Sequence, residues 1–164
     1  MKDTRNNDTS GLEKRTISIK RVTKTTKGGK RLRFQSCCAV GDCQSRVGVG
    51  LGKAQEVASA VNKAEIRGEK NMIEVKQREG TIPHSVYGKC GASKIFMRPA
   101  SPGTGIIACG SARAILELGG IRNVLTKAFG SHNSVNLAKA TIDALLKLRT
   151  SEEVATLRGI WKKQ

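Results

Sequence analysis

The sequence predicts an α+β fold built from two small units. In the first half, three stretches in which polar and apolar residues alternate are followed by one stretch with helical periodicity, which gives the order β-β-β-α. In the second half, strand-like and helix-like stretches are mixed. A chain of 164 residues can form one ordinary core or two small units that share an interface.

The first unit is predicted over residues 14–78, after a polar tail over residues 1–13 that we expect to be disordered. In TISIKRV (residues 16–22), Ile17 and Ile19 alternate with polar residues. This pattern is typical of a half-buried strand.

A second strand is predicted in RLRFQSCCAV (residues 31–40), where Arg31 and Arg33 lie on the face opposite the apolar side chains. Gly28 and Gly29 separate the two strands and can adopt positive φ, so a β-hairpin is expected.

A third strand over residues 46–51 alternates apolar residues with glycines, whose face would let another backbone come close. A helix is then predicted to begin near Lys53 and to end at Gly68, and it would cover the apolar face of the sheet. Its apolar stripe would consist of Ala54, Val57, Ala58, Val61 and Ala64.

The second unit is predicted over residues 79–164. The stretches that follow the first helix and read as strands are NMIEVKQ (71–77), the turn-rich TIPHSVYGKCG (81–91), SKIFMRP (93–99) and IRNVLTKAFG (121–130). A glycine-rich loop leads into a helix that ends at Gly119, and NSVNLAKATIDALLKLR (133–149) forms a clear helix. Thr150 and Glu153 have capping-box spacing for a short last helix.

The charge balance predicts a polyanionic partner. The chain carries 30 Lys and Arg against 13 Asp and Glu, a net charge of +17, and self-repulsion on this scale opposes compaction. A membrane partner is not expected, because the sequence lacks a strongly amphipathic helix and an apolar run of about 20 residues. The N-terminus does not resemble a signal or transit peptide, so we expect the protein to work where it is made.

The hairpin RVTKTTKGGKRLRF (residues 21–34) indicates which anion is bound. Nine basic residues and no acidic one lie between Lys14 and Arg33, whereas protecting a sheet edge requires only one or two lysines per strand. Aromatic residues make up 3% of the chain, which disfavours a base-stacking platform and favours backbone contacts with folded or duplex RNA. The candidate RNA-binding residues are Lys20, Arg21, Lys24, Lys27, Gly28, Gly29, Lys30, Arg31, Arg33 and Lys53.

No motif for catalysis or for a cofactor is convincing. GVGLGKA (residues 48–54) is one residue too short for a Walker loop and lacks its hydroxyl, so we interpret it as close packing with Lys53 at an anion site near a helix N-terminus. GTGIIA (103–108) fits a dinucleotide pattern but has no acidic residue about twenty positions later. We therefore expect no enzymatic activity and no cofactor.

The cysteines do not suggest a metal site. They are odd in number, contain no C-x-x-C pair and lie far from both histidines, so reduced thiols are expected. The five positions are Cys37, Cys38, Cys43, Cys90 and Cys109.

Three segments together resemble the bacterial-type fifth protein of the small ribosomal subunit. They are RVTKTTKGGKRLRF, VGDCQSRVGVGLGKAQEV and RPASPGTGIIACGSARAILELGGIRNVLTKAFGS, and the resemblance extends from about Glu13 to Gly159. It implies a β-β-β-α unit similar to a double-stranded-RNA-binding domain and a C-terminal β-α-β-β-α unit with a left-handed crossover. The sequence departs from the family at Cys43–Ser45, where a glycine-rich turn is usual, and at Cys109.

The resemblance also implies partners. The hairpin would reach small-subunit ribosomal RNA near the neck between head and body, and basic residues would line the channel by which messenger RNA enters. Gly103, Gly105 and Arg113 match the segment that contacts the fourth small-subunit protein, an interface tied to decoding accuracy, and the third and eighth proteins are further candidate neighbours. The expected location is the ribosome of a bacterial cytoplasm or a plastid stroma.

Two alternatives remain at this point. One is a free-standing duplex-RNA-binding chaperone or regulator. The other is an enzyme, because the implied C-terminal fold is shared with some small-molecule kinases, although about 80 residues are few for such a kinase.

Overall fold

The computed structural model describes residues 6–7 and 11–160, which form two β-sheets and four helices. The predicted α+β class with two units is confirmed. The strands are β1 (Asn6–Asn7), β2 (Glu13–Thr26), β3 (Gly29–Gly41), β4 (Arg46–Ala54), β5 (Ile73–Glu74), β6 (Val86–Cys90), β7 (Ser93–Pro99), β8 (Ile106–Ile107) and β9 (Val124–Gly130). The helices are α1 (Val57–Lys70), α2 (Gly110–Leu118), α3 (Ser134–Leu146) and α4 (Ser151–Leu157).

The first sheet is antiparallel and has the order β1-β2-β3-β4-β5. The predicted hairpin between β2 and β3 is confirmed, with Lys27 and Gly28 in the turn and the positive φ of 133° at Gly29. Of the tail expected to be disordered over residues 1–13, Asn6–Asn7 pair with β2 and Glu13 begins that strand, whereas residues 1–5 and 8–10 lie outside the described residues.

Helix α1 corrects the sequence-based prediction of its start and of its buried face. It begins at Val57, whereas Lys53 still belongs to β4 and Ala54 is the last residue of that strand. Gly68 does not end the helix, because the C-cap is Asn71. The buried residues of α1 are Ala60, Ala64 and Gly68, so Ala64 of the predicted stripe is confirmed, whereas Val57, Ala58 and Val61 are not buried.

The glycine face of β4 explains why these small residues are buried. Gly48, Gly50 and Gly52 face the α1 backbone so closely that a Cβ atom at any of them would overlap a helix carbonyl oxygen. The expectation that this face lets another backbone come close is therefore confirmed. Because the facing residues of α1 and β4 have no large side chains, the two elements pack backbone against backbone.

The second sheet has the order β6-β7-β9-β8, with β8 and β9 parallel and the other pairs antiparallel. Its order of elements differs in detail from β-α-β-β-α, because β6 and β7 form a hairpin before α2 and the short β8 precedes that helix. The chain then crosses from β8 through α2 to β9, and the left hand of this crossover stays a prediction.

The two units share one apolar core. Cys37, Ala39 and Val47 of the first sheet belong to the same buried cluster as Ile115 of α2 and Ala138 of α3. The first sheet is therefore covered by α1 on one face and by the second unit at the base of the other. The prediction that one helix covers the apolar face of this sheet is confirmed by α1, but the sequence pattern does not reveal that the second unit packs on the opposite face.

Polar contacts join the same two units. Arg15 of β2 forms a salt bridge with Glu117 of α2, and the Ser134 hydroxyl donates a hydrogen bond to Ser18 Oγ at 3.0 Å. The predicted capping box of α4 is confirmed at Thr150 and Glu153. None of the helices in the described chain has the length and apolar composition needed to span a bilayer.

The turn between β3 and β4 is organised by Asp42. Its Oδ1 accepts hydrogen bonds from the backbone N–H groups of Gln44, Ser45 and Arg46 at 2.8–2.9 Å. Partial desolvation acts to raise the pKa of Asp42, but these donors and the Arg46 side chain hold it down, at about 2. Cys43, where the resemblance leads one to expect glycine, adopts a φ of 55° in this turn.

We expect Asp42 to make stability depend on pH in the acid range. Because the pKa is lowered in the folded state, the carboxylate stabilises the fold fully above about pH 4, and this contribution disappears as pH falls through 2. The Asp42→Asn variant should be less stable than the wild type by about 1–2 kcal/mol near neutral pH. Urea titrations of both proteins between pH 2 and pH 6 should show this difference shrink as pH falls, and a constant difference would contradict the assignment.

Candidate nucleic-acid interface

The β2–β3 hairpin extends beyond the rest of the first sheet. Pairing between β3 and β4 ends with Phe34 opposite Ala54, whereas β2 and β3 continue to pair as far as Thr26 and Gly29. We call residues 22–33 the finger. Each of its strands spans about 17 Å, and nearly all of its side chains are exposed.

Cations are concentrated on one face of this hairpin. Lys24 lies directly opposite Arg31, and Arg33 occupies the same face two residues along β3. At the base of the face, Lys20 Nζ donates a hydrogen bond to Asn133 Oδ1 at 3.2 Å. We call Lys20, Lys24, Arg31 and Arg33 the basic face.

Cations also occupy the tip and the reverse face. Lys27 lies in the turn. The strand alternation places Arg21 and Lys30 on the reverse face of the hairpin, away from the basic face. Like charges directly opposite each other in a sheet are destabilising, and an isolated two-stranded hairpin is marginally stable. A bound polyanion would remove this repulsion and stabilise the finger.

The finger cations are available for such a ligand. Lys14 and Arg15, which begin the basic run, form salt bridges within the protein, Lys14 with Glu65 and Glu69 of α1 and Arg15 with Glu117 of α2. In contrast, no salt bridge in the described part of the chain involves a lysine or arginine of residues 20–33. The run therefore divides into two structural cations and seven that face solvent or a partner.

Lys53 belongs to this surface, although not at the start of a helix as predicted. It lies opposite Gln35 near the end of β4 and so shares the side of the sheet that carries the basic face. A groove of about 450 Å³ runs from there to the first turn of α1 and is lined by Arg33, Lys53 and Lys63. These three cations could hold a phosphate group, but Glu56 also lines the groove.

Sequence reasoning did not single out Lys139 of α3, whose charge acts on the buried thiol of Cys37. Burial raises the pKa of the Cys37 thiol to about 11, and the neighbouring Cys38 adds a smaller effect in the same direction. The charge of Lys139 acts in the opposite direction. The Lys139 ammonium therefore lies near the covered side of the first sheet. No sequence signal could have found it, because its position depends on how the two units pack.

The three residues predicted to contact a protein lie around β8. Gly103 and Gly105 have φ angles of 90° and 75°, and both donate their backbone N–H to Asn123 Oδ1, at 3.1 and 3.0 Å. Arg113 is exposed on α2, just beyond the other end of β8, and lines a cleft of about 300 Å³. The structure therefore gives the glycine loop a fixed shape and presents both features at the surface.

The cysteines form no bridge and no metal site in the described residues. All five are free thiols. Residues 6–7 and 11–160 contain no cluster of three or more His, Cys, Asp or Glu side chains that could hold a metal ion.

Comparison with known families gives two matches that follow each other along the chain. The family model for ribosomal protein S5, N-terminal domain, matches residues 12–76, which include the finger and α1. The model for ribosomal protein S5, C-terminal domain, matches residues 88–158, which include α2, α3 and most of the second sheet. This is a structural, non-enzymatic family of the small ribosomal subunit, and its members bind RNA and serve translation. Because both domains are matched in the expected order, the chain belongs to the ribosomal protein S5 family.

Proposed function

We propose that this protein is a structural constituent of the small ribosomal subunit whose finger binds ribosomal RNA near the neck between head and body. The observation that supports the proposal is the set of seven cations on residues 20–33, which have no acidic partner in the described chain and project beyond the sheet. Their arrangement on a two-stranded ribbon suits contacts with phosphates of folded RNA, where the backbone carries the recognition.

The shared core supports a role in holding an RNA junction in one geometry. Since the units over residues 14–78 and 79–164 are joined by common apolar packing and by the Arg15–Glu117 salt bridge, a force on the finger reaches the second unit. The mechanism is therefore electrostatic and steric, with lysines and arginines neutralising phosphates where RNA helices converge.

The second unit is proposed to contact neighbouring proteins and messenger RNA. The fixed loop at Gly103 and Gly105, together with the exposed Arg113, would meet the fourth small-subunit protein and so support decoding accuracy. The third and eighth proteins would be further neighbours, and basic side chains would face the channel by which messenger RNA enters. The proposed location is the ribosome of a bacterial cytoplasm or a plastid stroma.

Sedimentation tests the proposal directly. We expect the protein in a lysate to migrate with small subunits and whole ribosomes, near equal stoichiometry, through a sucrose gradient in moderately high salt. Contacts embedded in folded RNA survive such salt, whereas loose surface electrostatics are screened. Migration at the top of the gradient would overturn the proposal and favour a free-standing duplex-RNA-binding factor.

A further inference from the structure

The outer face of the second sheet carries three aromatic rings. Tyr87 of β6 lies opposite Phe96 of β7, and Phe129 of β9 is a diagonal neighbour of Phe96 across the next pair of strands. The ring centroids of Tyr87 and Phe96 are 4.5 Å apart, with the planes tilted by 34°. Three of the five aromatic residues of the chain therefore lie on one surface.

This face is open to solvent. The opposite face packs under α2 and α3, where Ile95 and Met97 are buried and where a Cβ at Gly88 would overlap the carbonyl of Ala140. On the outer face, by contrast, Tyr87 is 64% exposed and Phe129 is 47% exposed. Rings of this size at the surface are typical of a contact site rather than of a free surface.

Every charge on the outer face is positive. The alternation of the strands places Lys89, Lys94, Arg98 and Lys127 among the rings. The sequence contains no acidic residue between Glu79 and Glu117. Asp143, which accepts a hydrogen bond from the Lys89 backbone, lies on α3, so it is on the covered side, and it also pairs with Lys147.

The combination of rings and cations selects the kind of partner. Lysines attract phosphates, and exposed rings on an open sheet stack with bases that are not paired with other bases. A duplex would present phosphates but hide its bases, leaving the rings without a partner. A protein surface could cover the rings, but four cations among them favour a partner that carries closely spaced negative charge, as a nucleic-acid strand does.

We propose that this face binds a short single-stranded segment of RNA, with bases stacked on Tyr87 and Phe129 and phosphates held by the surrounding lysines. The site is separate from the finger, which contacts phosphates of folded RNA. The inference rests on the proposed function only in taking RNA as the ligand, and the segment could belong to ribosomal or messenger RNA.

The test compares two RNA ligands with the full-length protein. One is a labelled oligouridine of about eight nucleotides, within the range of known single-strand sites, and the other is a fully paired RNA hairpin. In the Tyr87→Ala/Phe129→Ala variant, we expect the affinity for oligouridine to fall by about tenfold for each ring removed, while the affinity for the hairpin stays within about twofold. Ultraviolet cross-linking of oligouridine to the wild type should map to peptides that contain Tyr87, Phe96 or Phe129.

A matched control removes exposed apolar side chains elsewhere. The Ile66→Ala/Leu146→Ala variant replaces residues that are 52% and 60% exposed on α1 and α3, and it should bind both RNAs as the wild type does. Unchanged oligouridine affinity in the aromatic variant would overturn the proposal, and if that variant also lost a neighbouring ribosomal protein, the face would be a protein contact.

The outcome can be distinguished from failure of the proposed function. If charge reversal in the finger leaves hairpin binding intact while the aromatic variant still loses oligouridine, the finger proposal fails and the sheet-face proposal stands. If both variants lose affinity for both RNAs equally, the aromatic rings contribute no specific stacking, and the sheet-face proposal fails.

Discussion

Replacing Lys24 and Arg31 with glutamate should weaken binding of the full chain to paired RNA by about a hundredfold. The two side chains lie opposite each other on the basic face, and each is expected to make one charge-assisted contact with a phosphate. Losing a hydrogen bond to a charged group removes about 1.5 kcal/mol or more, which corresponds to about tenfold in affinity per contact. Reversal of the charges adds repulsion to this loss.

The substitutions should not disturb the fold. Both side chains are exposed, and neither forms a salt bridge in the described residues. The wild type already has two like charges facing each other at this position, and the variant merely exchanges two cations for two anions. Its urea midpoint should therefore stay close to that of the wild type, so a loss of binding can be attributed to the contact itself.

The measurement is the affinity for an RNA hairpin over a range of salt concentrations. The slope of the logarithm of affinity against the logarithm of salt should fall in magnitude by about two, since each lost phosphate contact contributes somewhat less than one. The matched control is Lys70→Glu/Arg158→Glu, which changes net charge equally at exposed positions of the chain far from the finger in sequence. Equal losses in both variants would show that net charge, not the finger, governs binding.

The alternation of side chains predicted the finger well because it is a local property. The alternation that puts Arg31 and Arg33 on one face of β3 and Phe34 on the other follows from the strand geometry alone. The glycines mark the turn. The start of α1 could not be predicted in the same way. Ala54 fits both a strand that faces a helix and the apolar stripe of that helix, and only its pairing with Phe34 of β3 decides between them.

Other features depended on contacts between distant parts of the chain. β8 has two residues and exists because Ile106 and Ile107 pair with β9, across the whole of α2. The shared core could not be predicted for the same reason, since Cys37 and Ala39 share the strand parity of Arg31 and Arg33, the face opposite the predicted apolar one. Composition misled in one respect: an aromatic content of 3% argued against a stacking platform, yet the register of β6, β7 and β9 gathers three of those residues on one face.

The close contact between β4 and α1 leads to the second prediction with a large effect. A Cβ at Gly50 would overlap the carbonyl oxygen of Ala64 and lie 3.0 Å from its carbonyl carbon. These atoms belong to the backbone of α1, so they cannot rotate away as the end of a side chain would. Relief would require the helix to shift as a whole, and Gly48 and Gly52 hold it equally closely on either side.

We therefore expect Gly50→Ala to lower the free energy of unfolding by about 3 kcal/mol or more, a large fraction of the stability of a protein of this size. Urea denaturation should show the midpoint fall by about 1–2 M with little change in slope.

Gly28→Ala is the control, because no atom lies within 4 Å of its Cβ and its φ is not positive. Stability should therefore change by less than about 0.5 kcal/mol. If the two variants were equally stable, α1 would have to lie farther from β4 than the structure shows. The small residues on both surfaces would then have no packing role. If the expected loss of stability is measured, the contact between β4 and α1 tolerates no added carbon atom at Gly50.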